Sequence, residues 1–392
     1  MKITRVEVFD LNVENWPNWH PVIVRVHTDE GISGLGEVGL AYGTGHSAGA
    51  GMAKNLAEQF LIGADPFQSE KLWDAMFRNT FWAQGGGPVV FGGMSAFDTA
   101  LWDIRGKALG VPVYQLLGGK TNERLRTYAS QIQFGWGPER LVLTEPEQYA
   151  EVARQVVAEG YTCLKIDPVI FDRQGNRAAY NLRGPLSNDL LALFRGRIAA
   201  VRDAVGPDVD IILELHSFLG ATAGVQLGRI WEEFGCLFYE EPVHYLNPEL
   251  HEFVARNVKI PMAAGERIYT RWGYRPYLER QSIAVIQPDL GLVGGITEGK
   301  KICDYAHVYD VTVQAHVCGS PVATAAALHL ETAIPNFQIH EHHTNALKAG
   351  NRAICLQDYQ PVNGFFQAPD LPGLGIDLND AVVLNSPRVV IE

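Results

Sequence analysis

Cysteine is scarce and scattered in this chain. Cys163, Cys236, Cys303, Cys318 and Cys355 form no C-x-x-C pair. That excludes a disulfide scaffold or a thiolate zinc module and leaves buried free thiols in a reducing compartment as the expectation. Positive charge is short as well: 32 basic against 44 acidic residues give a net charge of −12. Phosphate backbones and anionic lipid repel such a surface, so neither nucleic acid nor a membrane is expected as a partner. No apolar run approaches the ~18 residues that would suggest a membrane span. Glu7 and Asp10 interrupt the first stretch where a signal peptide has an unbroken apolar core, and a cytoplasmic location is expected. Charged residues make up only 19% of the chain and hydrophobic ones 47%. That apolar content offsets ordering entropy and excludes a disordered chain. The 40 glycines follow no period, which excludes a collagen-like repeat.

What is present is a cadence. From about residue 126, apolar or β-branched runs end in polar residues and are followed by longer segments with helical spacing. The predicted strands are RTYASQI (126–132), CLKID (163–167), DIILELHS (210–217), LFYEEP (237–242), PMAAGE (261–266), VIQPDL (285–290), TVQAHV (312–317) and QIHEHH (338–343). Thr144-Glu145-Pro146-Glu147 reads as a capping box opening one intervening helix, with Gly160 at its C-cap. Leu190, Leu191, Phe194, Ile198, Val201 and Val205 make an apolar stripe behind Ser187 in another. Strands alternating with helices imply parallel pairing, and eight such units fit a (β/α)8 barrel. The first part differs: ITRVEVFDL, PVIVRVHT and ISGLGEVG predict three strands, followed by helical material. The expected architecture is an N-terminal α+β capping domain over residues 1–125 and a (β/α)8, TIM-like barrel over 126–345. A Pro-, Gly- and Asn-rich segment, 346–392, is expected to pack back on both.

In such a barrel, chemistry sits at the C-terminal ends of the strands. Glu214, Glu240 and Glu266 lie 26 residues apart on three consecutive predicted strands. Neighbouring strands are ~4.8 Å apart, so the three carboxylates converge. Without a cation they would repel one another, and an all-oxygen set suits Mg²⁺. Glu241 should point to the other face and read as structural. His216, two residues past Glu214, faces the same side. His316 closes the seventh strand, opposite the third, and Asp289 on the sixth can orient it. A bound cation would stabilise the dianion formed when a carbon acid next to a carboxylate loses its proton. His316 is the candidate base and His216 the candidate donor to a departing hydroxyl. Glu341 reads as a hydrogen-bonding group for the enediolate if its pKa is raised, or as a plain ion pair.

With these residues the chain resembles the enolase superfamily, specifically its mandelate racemase-like subgroup. MSAFDTALWDIRGKALGVPVYQLLGG (94–119) looks like the segment joining the family's capping domain to its barrel. The resemblance implies Glu214, Glu240 and Glu266 as Mg²⁺ ligands, Asp289–His316 as the base dyad and Glu341 as the acidic residue of the eighth strand. One departure is that the first ligand in related proteins is usually Asp. Racemases and muconate-lactonizing relatives tend to carry Lys-x-Lys on the second strand. Here Lys165-Ile166-Asp167 lacks the second Lys, and Lys165 reads equally as a substrate contact or a structural ion pair. His216 at plus two from the first ligand resembles the galactonate-type acid-sugar dehydratases.

Substrate selection is expected from loops over the barrel mouth: Asn15-Trp16-Pro17-Asn18-Trp19-His20 and Tyr42-Gly43-Thr44-Gly45-His46. Trp19, His20, Tyr42 and His46 are the candidate substrate contacts. The 167–189 insertion, with Arg173, Arg177 and Arg183, reads as a lid or a subunit contact. The expectation is a homo-oligomeric, Mg²⁺-dependent hydro-lyase taking a small acid sugar such as an aldonate to its 2-keto-3-deoxy product. The competing readings are an epimerase or cycloisomerase on a sugar acid or its lactone, and a sugar-acid-binding protein without turnover. Keto-acid formation, deuterium uptake and binding alone distinguish the three.

Overall fold

The computed structural model describes residues 1–13, 18–177 and 181–392. Three N-terminal strands, β1 (Ile3–Asp10), β2 (Val22–Thr28) and β3 (Ser33–Val38), form an antiparallel sheet. In β2 the alternation divides the side chains between two cores: Val22, Val24 and Val26 face the N-terminal core, whereas Ile23 joins the barrel core. The N-terminal core is completed by the helix Pro88–Leu109, which presents Met94, Phe97, Ala100, Leu101 and Ile104.

The eight predicted barrel strands all form: β4 (Leu125–Ser130), β5 (Cys163–Ile166), β6 (Asp210–Glu214), β7 (Phe238–Glu240), β8 (Met262–Ala264), β9 (Val285–Ile286), β10 (Thr312–Val313) and β11 (His340–His343). They lie parallel in the order β10-β9-β8-β7-β6-β5-β4-β11. The ring closes where Val313 donates to Asn336 O (2.8 Å) and Gln338 donates to Val313 O (2.8 Å). Regular pairing is shorter than the sequence pattern suggests. In the 285–290 segment only Val285–Ile286 is regular ladder; Pro288, which has no N–H, interrupts it before the single bridge Asp289–His316. Among the described residues no helix is long and apolar enough to cross a membrane.

Alternation along the barrel strands builds layers. Tyr128, Cys163, Ile212, Phe238, Ala263, Val285 and Ile339 form one buried apolar cluster. Two residues farther on, four of those strands carry Lys165, Glu214, Glu240 and Glu341, so a charged layer rests on an apolar floor. The chain then returns to its beginning: β12 (Phe365–Phe366) pairs with β4, and β13 (Arg388–Ile391) pairs antiparallel with β1.

Helix starts differ from the sequence pattern in one place. Glu145, not Thr144, is the N-cap of the helix Pro146–Ala158, and Gln148 closes the box by accepting from Glu145 N (3.0 Å). Gln148 occupies the third helical position, where a side chain reaches back to the cap, whereas Glu147 is one residue short. The N-terminal part also caps barrel helices. Glu37 accepts from Ser320 N (3.0 Å), Ser320 Oγ (2.6 Å) and Ala323 N (3.2 Å) at the start of the helix Pro321–Ala333. Asp98 accepts from Thr297 N (2.8 Å), and Ser95 Oγ from Gly294 and Gly295 N, at the start of the helix Gly295–His307. Burial pushes both carboxyls up to about 7.

Gly36 on β3 shows how tightly the sheet seats on Pro88–Leu109: a Cβ there would overlap the Ala96 carbonyl oxygen. Gly36→Ala is expected to cost about 1–3 kcal/mol by overpacking. A fall in the thermal midpoint checks this, and an unchanged midpoint would refute the close seating.

Candidate active site

The charged layer is the floor of the site. Lys165 is 1% exposed, and its ammonium lies 3.0 Å from Glu240, 3.1 Å from Glu214 and 3.0 Å from Glu341. Burial opposes its charge, but the carboxylates, Glu240 foremost, raise its pKa well above the usual value. The sequence left Lys165 open between a substrate contact and an ion pair. In the structure it pairs with all three acids and is not among the residues that line the cavity. Glu341 is held by the same ammonium and accepts from Ser130 Oγ (2.6 Å) and Val317 N (2.8 Å). Despite burial, Lys165 and His316 depress its pKa below the usual carboxylate range. The raised pKa that the enediolate role required is therefore reversed, because a fixed cation sits beside it.

Glu214 and Glu240 are register partners across β6 and β7, and both are fully buried. Like charges in contact cannot both ionise at ordinary cost. Glu240 is pushed well above its usual value by burial and by Glu214, whereas His216 and Lys165 overcome burial to pull Glu214 down. Glu214 Oε2 makes no well-directed hydrogen bond among the described residues, its ion-pair partner being the Lys165 ammonium at 3.1 Å. Its other oxygen, Oε1, accepts from His216 N (2.8 Å), so the longer Glu side chain is tied to its own strand end. Glu266 follows β8 and lines the cavity, and donor oxygens of the three acids lie within 4.8 Å of one another. Two oxygens bound at ~2.1 Å to one Mg²⁺ are ~3–4 Å apart, so a hard divalent cation fits this set.

Two histidines rise from the rim. His316 Nδ1 is 2.7 Å from Asp289 Oδ2, and Asp289 Oδ1 accepts from Gly291 N (2.7 Å). His316 Nε2 is 3.2 Å from Glu266 Oε2. His216 Nδ1 is 2.6 Å from Asp167 Oδ2, and Asp167 Oδ1 accepts from Val169 N (3.0 Å). Burial disfavours both imidazolium ions, yet adjacent carboxylates outweigh it: His216 is raised to about 9 by Glu214 and Asp167, and His316 to about 10 by Glu266 and Glu341. His216, Ser217 and Glu241 adopt positive φ (47°, 61° and 42°), strained conformations at the ends of β6 and β7. The turn at Glu241 breaks the alternation on which its placement on the other face rested. Its carboxylate is fully buried, accepts from Ser217 Oγ (3.0 Å) and pairs with Arg267.

Both imidazoles open into one cavity of about 390 Å³, lined also by Tyr42, Gln131, Phe134, Arg140, Ile170, Arg177, Phe218, Arg267, Leu292, Cys318, His343 and Asn345. Cys318 is therefore half-buried at the cavity rather than in the core, unlike the other four cysteines. Of the loop residues proposed as substrate contacts, only Tyr42 lines the cavity. Trp19 is 1% exposed and donates to Asn351 Oδ1 (3.1 Å), because its large apolar ring is drawn into the interior. His20 and His46 stack on each other at 4.2 Å, with Nδ1 on Asn12 and Asp10 respectively, away from the cavity lining. Asn15, Trp16 and Pro17 lie outside the described residues. Sequence reasoning missed Asp167 as a histidine partner and Arg267, Phe134 and Arg140 as lining. Asp167 follows Lys165 by two on the same strand, a spacing that could have revealed it.

The family model for the mandelate racemase / muconate lactonizing enzyme N-terminal domain matches residues 8–118, and the enolase C-terminal domain-like model matches residues 148–382. The D-galactonate dehydratase of Verminephrobacter eiseniae is 34% identical over 394 residues, with 99% of this chain and 95% of that protein covered. A D-galactonate dehydratase of Ralstonia nicotianae is 32% identical with the same coverage. Among solved structures, a member of the enolase superfamily from Salmonella Typhimurium is 56% identical, with a TM-score of 0.97 and 100% of both chains covered.

Removing the buried ammonium is expected to leave three carboxylates uncompensated. Lys165→Met should cost about 3–5 kcal/mol, read as a lower urea midpoint in EDTA. Wild-type stability in that variant would show that the layer does not need its internal cation.

Proposed function

The chain belongs to the enolase superfamily, in its mandelate racemase subgroup, and from that footing we propose that it is a Mg²⁺-dependent acid-sugar dehydratase. The observation that carries this reading is the pair of His–Asp dyads opening into one cavity beside a three-carboxylate cluster. The D-galactonate dehydratase relatives support the reaction class.

Glu214, Glu240 and Glu266 would hold the cation. When bound, it supplies positive charge against the negative charge that grows on the substrate's carboxylate as the α-proton leaves. Asp289 fixes the proton of His316 on Nδ1, so Nε2 is the nitrogen that takes the α-proton. Glu266 faces that same nitrogen at 3.2 Å and favours its protonated form, so His316 serves as the base only when Nε2 carries no proton. Asp167 orients His216 in the same way, so that its Nε2 can hand a proton to the departing β-hydroxyl. Ile170, Phe134, Phe218 and Leu292 make the walls apolar and limit water around the enediolate. The product is a 2-keto-3-deoxy sugar acid after tautomerisation of the enol.

The same pair of dyads would serve a two-base epimerisation in which His216 returns a proton to carbon. Screening an acid-sugar library with Mg²⁺ for 2-keto acid by semicarbazide absorbance, alongside NMR in D₂O, distinguishes the two. Keto acid is expected. Deuterium uptake with inversion and no keto acid would replace dehydration by epimerisation, and binding without either would leave a sugar-acid-binding protein.

His316→Asn should lower turnover by the ~10²–10⁴-fold typical of a general base, and near-wild-type turnover would remove it from that role. His216→Asn should suppress keto-acid formation while α-proton exchange into D₂O persists; loss of both together would show that the two histidines do not divide the steps. Magnesium should raise the thermal midpoint of the wild-type protein and fail to do so in Glu240→Gln. Equal midpoint rises in both would place the cation elsewhere.

A further inference from the structure

The cavity has a second chemical face that the dehydration steps do not use. Three arginines line it, against one carboxylate, Glu266. Arg267 is already committed to Glu241 and to Glu266 (3.3 Å). Arg140 and Arg177 are exposed, which places them at the mouth, above the half-buried histidines. Both guanidinium groups lie over the Phe134 ring, 4.9 Å and 5.6 Å from its centroid. Arg177 also lies over the Tyr42 ring (5.6 Å) and donates to its hydroxyl. Arg173, in the same insertion, faces Glu145 and Asp189, whereas among the described residues no carboxylate is paired with Arg177.

The loops carrying these two arginines are held in place. Lys348 donates to Gly137 O (2.7 Å) and Glu139 O (2.9 Å), and Leu141 N donates to Phe134 O (2.9 Å), so the segment around Arg140 is tied at several points. On the other side, the fully buried Arg197 donates to Pro168 O and Phe171 O (both 2.8 Å), and Asp172 accepts from Gln174 N and Asn176 N. Phe171 then bridges to Arg177. In a chain of net charge −12, pinned guanidinium groups at a cavity mouth concentrate positive potential where ligands enter.

A sugar acid with its carboxylate at the acidic cluster would extend its far end toward this face. We infer that Arg177 and Arg140 form an anion subsite and that the substrate is a dianion: a sugar acid carrying a second carboxylate or a phosphate at its far end. The guanidinium fork matches either group, and Phe134 and Tyr42 provide the planes on which the forks rest. The inference rests on the dehydratase reading of the same site and narrows its substrate class from aldonates to dianionic acids.

The test compares wild-type kcat/KM, with Mg²⁺, for chain-matched aldonates, diacid sugars and terminally phosphorylated aldonates. One of the two dianionic classes is expected to exceed the aldonates, and which one does so identifies the second group. In Arg177→Gln that preference should fall by roughly tenfold or more, about the worth of one charge-assisted hydrogen bond, and mainly through KM. Arg177→Lys should restore part of it. Turnover of aldonates in preference to both dianionic classes overturns the subsite and leaves the dehydratase reading standing. An unchanged preference in Arg177→Gln also overturns it. If no acid sugar is turned over, the dehydratase reading itself fails, and calorimetric binding of the same three classes to the wild-type protein decides the subsite: equal affinities overturn it.

Discussion

A single ammonium ion held inside a ring of acids is the constraint from which the site follows. Lys165 contacts three carboxylates within 3.1 Å at a depth where water cannot screen them. One internal cation does not neutralise Glu214, Glu240, Glu266 and Glu341, and the layer divides accordingly. Glu214, Glu266 and Glu341, each beside a histidine, are drawn down, whereas Glu240, which meets Lys165 but also the charge of Glu214, is forced up. That imbalance suits the cluster to a further cation and raises the affinity of both neighbouring imidazoles for protons. Stability and chemistry are therefore set by the same few ångströms.

Strand alternation carries that constraint upward. The apolar layer at Cys163, Ile212, Phe238 and Ile339 keeps water from beneath the charges, and the charged layer comes next. Above it the regular ladder stops, and Asp167, His216 and Asp289 lie in irregular backbone. His216 and Glu241 take positive φ there, at a local cost that the buried network around them sustains. The histidine dyads that open into the cavity thus sit on the first residues that the sheet no longer dictates, backed by a buried layer.

Much of this was legible in the chain itself. Eight strands with helices between them could be read because each has a compact apolar run and a polar end, and the trio of acids repeated at one spacing. Three kinds of feature escaped. Glu241 was assigned to the other face and read as structural, but its left-handed turn and its buried pairing with Arg267 were not legible in the pattern. Lys165 and Glu341 could not be separated from substrate contacts, because nothing local says that they meet each other across the barrel. Trp19, His20 and His46 have side chains well suited to a sugar, yet burial claims the first and mutual stacking the other two. The arginines of the mouth lie on irregular loops, where periodicity gives no direction.

Glu37 has a consequence for how the cavity communicates with bulk solvent. This carboxylate belongs to the N-terminal sheet, yet its donors, Ser320 and Ala323, lie just beyond His316 and Cys318. Swinging the sheet away as a rigid flap would strip a buried acid of those donors and disturb the segment that follows His316. With the sheet bonded there, the exposed lining residues Tyr42, Arg140 and Arg177 are what the cavity presents to bulk solvent.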